Sequence, residues 1–311
     1  MISPEAVDLL GLGIAPVDFF VYLDAYPRSG FKVNAVPESS LIAGGGPVAN
    51  ALCAFSRFGG TTSLITAFGD DYWGRFAREE LDRFGVAHDL CLSRKGCSSA
   101  LASAWINITN GERTIALAIS PRLYVRPQDI QLSRLPIPKL ILIDGRYVDA
   151  DVRLARWGRK VGAAVMLDIG SVRNSVDVIL PHIDYLICAD QYALHYFRTE
   201  DIIGAAEGFK KLGIPEVVVT AGTGGSFGID ASGHCTRQRA FKVKAVDVTG
   251  AGDVYHGAYL FGIMKGWDLA KKMRFAAAAA ALKCRLPGAR SGIPSLRQTL
   301  HFMKNHRAFH A

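Results

Sequence analysis

The chain has 311 residues, half of them hydrophobic and 21% charged, with a formal net charge of +8. That balance belongs to a globular chain with room for a large core and excludes a disordered one. No apolar run approaches the ~20 residues that span a bilayer, and the opening MISPEAVDLL has an acidic residue and no basic segment, unlike a secretion signal. The basic residues are dispersed, without a clustered stripe or stacking aromatics. This speaks against nucleic acid and leaves either small anionic ligands or a merely basic surface. Six cysteines form no CxxC pair and are expected to be reduced thiols in the cytoplasm; the histidines lack HExxH spacing, so no zinc site is expected.

In chain order, VDLLGLGI (7–14), TSLITAFG (62–69), PKLILIDG (138–145), AAVMLDIG (163–170), IDYLICAD (183–190) and EVVVTAGT (216–223) are apolar runs of strand length. Between them, segments such as DDYWGRFAREELDRFG (70–85) and DADVRLARWGRKVG (149–162) have helical spacing and end in glycine. The alternation predicts an α/β fold, a mostly parallel central sheet covered by helices on both faces, with ligands gathered beyond the carboxyl ends of the strands. Residues 18–40 and 93–118 break the rhythm: they alternate in polarity and include Asn110-Gly111, a hairpin signal. They predict a small β-strand flap outside the main sheet. The alanines at 276–281 predict a helix packed closely on its neighbours, and with no repeat or linker visible, 1–311 reads as one domain.

Three stretches carry candidate chemistry. In VDVTGAGDVYHGAYLFG (246–262), a glycine turn enters a helix, so unpaired N–H groups and the positive end of the helix dipole meet at Gly250, Ala251 and Gly252. The carboxylate of Asp253 beside them reads either as a helix cap or as the base in a phosphoryl transfer. In AGGGPVANALCAFSRFGG (43–60), three glycines and Asn50 either expose backbone to a ligand or only make a tight turn. VVVTAGTGGSFGID (217–230) reads as a nucleotide border or as an ordinary hairpin. GxxxxGK[ST] and the protein-kinase motifs are absent.

Taken together, the chain resembles the PfkB (ribokinase-like) carbohydrate kinases over its whole length. DVTGAGD (247–253) is similar to the family's specific C-terminal signature. Gly45-Gly46 with Asn50, FGDDYWG (68–74), NGERT (110–114) and TAGTGG (220–225) follow the family's order. The resemblance implies a three-layer αβα sandwich with a β-lid, and ATP-dependent phosphorylation of a sugar hydroxyl with Mg2+. Asp253 is then the base, and the N–H groups of Gly250, Ala251, Gly252 and Asp253 the anion hole. Asp18, at the end of the first strand, with Gly45, Gly46 and Asn50, holds the sugar; Thr220, Gly222 and Gly225 lie along the nucleotide; the lid joins two copies as a homodimer. Asp247 and Thr249, with PGARSG (287–292), resemble the monovalent-cation site of some members, and K+ is a further expectation.

Two departures stand out. ADQY (189–192) occupies the place of the family's Asn-x-x-Glu, and Pro47 comes one place early in GGGPVAN. GAGDVYHGAY (250–259), RFAAAAAALKCRLPGARSGIP (274–294) and IDGRYVDA (143–150) look like the subgroup containing 6-deoxy-6-sulfofructose kinase, with ketohexokinase more distant. The substrate expected is a ketose, with Arg146 as a fork for an anionic tail or as an ion-pair partner of Asp144 or a lid carboxylate. Lys32 is a second basic candidate. A nucleoside kinase and a catalytically silent sugar sensor are the alternatives.

Overall fold

The structure, a computed structural model, describes residues 6–30, 32–36, 40–109, 113–173 and 175–306. A nine-stranded sheet runs through it in the order β15-β14-β13-β12-β11-β10-β1-β4-β6. Its strands are β1 (Val7–Leu12), β4 (Thr62–Ile65), β6 (Val86–Ala87), β10 (Pro138–Ile143), β11 (Ala164–Ile169), β12 (Tyr185–Ala189), β13 (Glu216–Thr220), β14 (Ser226–Ile229) and β15 (Cys235–Gln238). From β6 to β13 neighbouring strands are parallel; β14 and β15 add antiparallel at one edge.

The alternation of side chains divides the core into two layers. Leu9, Leu64, Leu142, Met166, Ile187 and Val218 face α1 (Pro47–Arg57), α2 (Tyr72–Asp82), α6 (Ala251–Met264) and α7 (Leu269–Lys283). Leu10, Leu12, Ile141, Val165, Leu167, Leu186 and Val219 face α3 (Val148–Lys160), α4 (Asp190–Phe197) and α5 (Ile202–Lys211). Because both faces are covered, the central strands read as continuous apolar runs, which is why the sequence could be parsed. The last helix, α8 (Leu296–Asn305), packs Phe302 against Phe241. The alanine run lies in α7, where Ala276, Ala278 and Ala279 are fully buried. No helix among the described residues is long and apolar enough to cross a membrane.

One contact between helices sets the geometry of the site. A Cβ on Gly257 of α6 would stand 2.3 Å from the Ala51 carbonyl oxygen of α1. Only glycine lets the two backbones approach this closely, and the approach brings Asn50 of α1 to the first turn of α6.

A second sheet, β3-β2-β8-β9, forms the lid: β2 (Val17–Leu23), β3 (Leu41–Gly44), β8 (Leu101–Asn107) and β9 (Arg113–Ala118). Strand β3 lies just beyond the expected 18–40. The start of 93–118 belongs elsewhere, because β7 (Leu92–Arg94) pairs with β5 (Ala67–Gly69). Strands β8 and β9 pair antiparallel on either side of Asn110-Gly111, which itself lies outside the described residues. The register puts Ala43, Asp18, Ala102 and Leu117 in one row and Tyr22, Ile106 and Arg113 in another, all on one face. That face covers Ala289 of the 287–292 segment.

Candidate active site

The turn before α6 is built as the sequence suggested, with one exception. Gly250 takes φ 77°, a left-handed conformation that glycine adopts without strain, and caps the helix. The Ala251 N–H, expected in the anion hole, donates instead to the Val248 carbonyl at 3.1 Å, closing the turn. The N–H groups of Gly250, Gly252 and Asp253 keep no intramolecular partner among the described residues. Three donors and the helix dipole therefore converge on one spot.

Asp253 stands in the first turn of α6 but does not cap it; its Oδ2 accepts from Asn50 Nδ2 at 2.7 Å. Burial pushes the carboxyl up to about 6, and Asp168 adds to the rise; Asn50, His256 and Arg113 oppose it. A carboxylate that titrates just below neutrality is charged at pH 7 yet accepts a proton readily, as a general base must. The Arg113 charge acts on it from the lid.

Asn50 is itself oriented. Its Oδ1 accepts from Arg290 Nε at 2.8 Å, while Arg290 Nη2 donates to the Gly45 carbonyl at 3.0 Å. Arg290 is 3% exposed and its Nη1 has no partner, a buried donor left for something else. Asp18 lies within its field. Burial raises the Asp18 carboxyl to about 7, with Arg290 opposing and Asp253 adding. A Cβ on Gly45 would stand 2.2 Å from Asp18 Oδ2, so carboxylate and bare backbone border the same space. Asp18 belongs to β2 of the lid, not to the end of the first strand, because the chain turns at residues 13–16 before reaching it. Gly46 caps α1, and Pro47 takes the first helical position, where a missing N–H costs nothing.

Arg146 follows β10, its Nε buried without a partner. The ion pair weighed for it with Asp144 is made instead by Arg173, whose Nη1 lies 3.7 Å from Asp144 Oδ1 and donates to the Asp144 carbonyl. The pKa of Arg146 is lowered by burial and by the neighbouring Arg173 charge, while Asp144 opposes. Arg173 also acts on the buried Asp151 and Asp168 carboxyls. Lys32 is exposed, and among the described residues no hydrogen bond or ion pair brings it to this place.

Beneath the turn, every acceptor of Asp247 is engaged. Its Oδ1 accepts from Thr249 N at 2.8 Å, and its Oδ2 from Tyr22 Oη at 2.7 Å and Gly288 N at 2.8 Å. Its carbonyl accepts from Lys283 Nζ at 2.8 Å. Burial raises the Asp247 carboxyl, but Lys283 and the surrounding donors outweigh it and hold it below the ordinary value. The Thr249 hydroxyl is buried without a partner, a single neutral oxygen rather than a coordination shell. The Asp247 carboxylate and carbonyl expected beside a monovalent cation are thus already taken by the chain's own donors.

His256, one turn beyond Asp253, is buried and donates from Nδ1 to the Gly252 carbonyl at 2.6 Å; its Nε2 lies 3.3 Å from Asp168 Oδ1. On the nucleotide side, Thr220 ends β13, and Gly222 and Gly225 form the turn into β14, so the segment is a hairpin placed at the carboxyl end of the sheet. Ala189 ends β12 and Tyr192 follows it in α4, its hydroxyl buried without a partner; Asp190 Oδ1 accepts from its neighbour Gln191 N at 2.8 Å. Among the described residues no three His, Cys, Asp or Glu side chains cluster as a metal site. All six cysteines are unpaired.

The structure thus gathers Asp253, Asn50, Asp18 and Gly45 in one cleft and adds residues the sequence reading missed. Arg290 sat within PGARSG, and His256 three residues after Asp253 on one helix face; both spacings were legible. Arg173 and Lys283 had no local signal.

Comparison with known proteins gives a consistent answer. The profile described as pfkB family carbohydrate kinase matches residues 13–296. Ribokinase of Haemophilus influenzae is 27% identical over 94% of this chain and 97% of its own. Aminoimidazole riboside kinase of Salmonella typhimurium is 28% identical over 88% and 93%. In fold, the structure of Arabidopsis thaliana ribokinase complexed with ribose and ATP superposes with a TM-score of 0.80 at 24% identity, covering 96% of this chain and 99% of that one. With its three-layer fold, its lid and the glycine turn that leads into Asp253, this chain belongs to the pfkB family of carbohydrate kinases.

Proposed function

We propose that this kinase transfers the γ-phosphoryl group of MgATP to a hydroxyl of a ketose that carries an anionic group at its far end. The observation that carries the transfer is Asp253, held by Asn50 at 2.7 Å where α6 begins, beside the free N–H groups of Gly250, Gly252 and Asp253. The Asp253 carboxylate takes the proton of the acceptor hydroxyl as its oxygen bonds to phosphorus and the bond to ADP breaks. The N–H groups receive the charge on the phosphoryl oxygens. Asp18, Asn50, Gly45 and Gly46 orient the sugar. Thr220, Gly222 and Gly225 border the nucleotide, in keeping with the ribose and ATP of the Arabidopsis relative. Ala189 offers no ligand in place of Asn, so Mg2+ would be held mainly by the nucleotide phosphates, whose charge it would neutralise.

The anionic tail rests on Arg146, whose buried Nε has no partner while Arg173 takes the ion pair with Asp144. The ketose follows from the resemblance at 250–259 and 274–294. The nucleoside reading wants an aromatic sandwich over the cleft. Of Phe19, Phe20, Tyr22 and Trp105, Phe19 and Trp105 lie on the lid face opposite Asp18, Phe20 is buried on the Asp18 face in the lid's own cluster, and the Tyr22 hydroxyl is bound to Asp247. A second copy docked on the exposed β9 edge, where Ile115 and Leu117 stand free, completes the proposal.

ADP release measured with ketoses with and without a terminal sulfonate or phosphate, aldoses and nucleosides tests it. Highest kcat/KM on an anionic ketose is expected. Turnover confined to nucleosides overturns the substrate class, and tight sugar binding without any turnover makes the chain a sensor.

A further inference from the structure

Lys283 is the last residue of α7, and its side chain is completely buried. A buried ammonium is retained only where partners compensate it. Here its hydrogen bond goes to the Asp247 carbonyl at 2.8 Å, at the root of the turn that carries the phosphoryl-binding N–H groups. The same helix end grips the turn a second way: the Cys284 carbonyl accepts from Val246 N at 2.7 Å and from Asp247 N at 3.2 Å. Burial lowers the Lys283 pKa; Asp247, Cys284 and Asp253 favour its charge, and Arg113 from the lid opposes it.

A monovalent cation under this turn has two jobs: to hold carbonyl oxygens in place and to put one positive charge beside the developing phosphoryl charge. Lys283 does both from within the chain, and the Asp247 carboxylate is already engaged by Thr249, Tyr22 and Gly288. A second cation sharing the Asp247 carbonyl would face the ammonium's charge at close range. We infer that the Lys283 ammonium serves as a built-in cation for the anion-hole turn, so that this kinase works without K+ or any other added monovalent cation. The inference rests on the kinase reading above, and the experiment separates the two.

Turnover of the wild-type protein is measured in tetramethylammonium buffer with and without KCl, NaCl or CsCl, on the best sugar of the panel. A change in kcat of less than about 2-fold is expected, against the roughly 10-fold or greater loss expected for Lys283→Ala without small cations. NH4Cl, methylammonium or KCl should restore part of the Lys283→Ala activity, which a merely structural lysine would not allow. Saturable activation of the wild-type protein by K+ overturns the inference whether or not the variant folds. If no sugar is turned over, the kinase reading fails alone, and thermal midpoints still decide this point. A wild-type midpoint equal in KCl and tetramethylammonium chloride to within about 1 °C supports the built-in cation, and a K+-specific rise overturns it.

Discussion

Asn50 donates its amide to Asp253 Oδ2 at 2.7 Å across the contact of α1 with α6, and this bond favours the charged form of the carboxyl. The base works deprotonated, so kcat/KM should fall as pH drops through about 6. Removing a donor from a carboxylate raises its pKa. Asn50→Ala should therefore move the acid limb of the pH profile upward, in addition to weakening sugar binding. An unmoved limb, read from kcat/KM between pH 5 and 8, separates Asn50 from the base.

Asp253→Asn keeps the shape and removes the proton acceptor. We expect kcat to fall by roughly 10²–10⁴-fold with ATP affinity largely intact. The same change should raise thermal stability at neutral pH. A folded-state pKa raised from the ordinary carboxylate range to about 6 means the folded form holds its proton longer, so stability is lost as pH rises through that interval. The neutral amide escapes this loss. Calorimetry at pH 5 and pH 8 reads it: the gain should be larger at pH 8.

The layers and the glycine turn were legible because they follow from local pattern: buried parallel strands are unbroken apolar runs, and a left-handed cap calls for glycine. Local pattern left Asp253 between a helix cap and a base, and Asn50 between a ligand contact and a tight turn; the resemblance carried by DVTGAGD and the order of the other motifs picked them out. What escaped depended on contacts across the chain. Arg290 meets Asn50 across 240 positions and Lys283 meets Asp247 across 36. Asp18 was read both into the 18–40 flap and at the end of the first strand, and only the first holds, while the loss of Ala251 N–H to Val248 is a matter of turn geometry alone.

Arg146 and Arg173 compete for Asp144, and only Arg173 pairs with it. Arg146 is thus the freer of the two to bind an anion. Arg146→Ala should raise KM for anionic ketoses by about 10-fold or more while changing KM for neutral ketoses little, since charge-assisted bonds are the strong ones. Arg146→Lys should restore only part of the difference, lacking the planar fork. Equal effects on both substrate classes would remove Arg146 from specificity.

His256 Nδ1 donates to the Gly252 carbonyl at 2.6 Å, and that carbonyl belongs to the peptide whose N–H is the Asp253 donor. Donation at one end of a peptide polarises the other, so His256 both fixes the direction of an anion-hole N–H and strengthens it. Its Nε2 faces Asp168, whose negative charge raises Asp253 while His256 lowers it. His256→Ala should therefore lower kcat about 10-fold with little change in the KM for ATP or sugar, because the N–H acts on the transition state more than on the ground state. It should also shift the acid limb of the rate profile upward, since the opposing Asp168 charge is left without its partner. A variant that raises KM and leaves both kcat and the limb in place would show that His256 only packs the helix against the sheet.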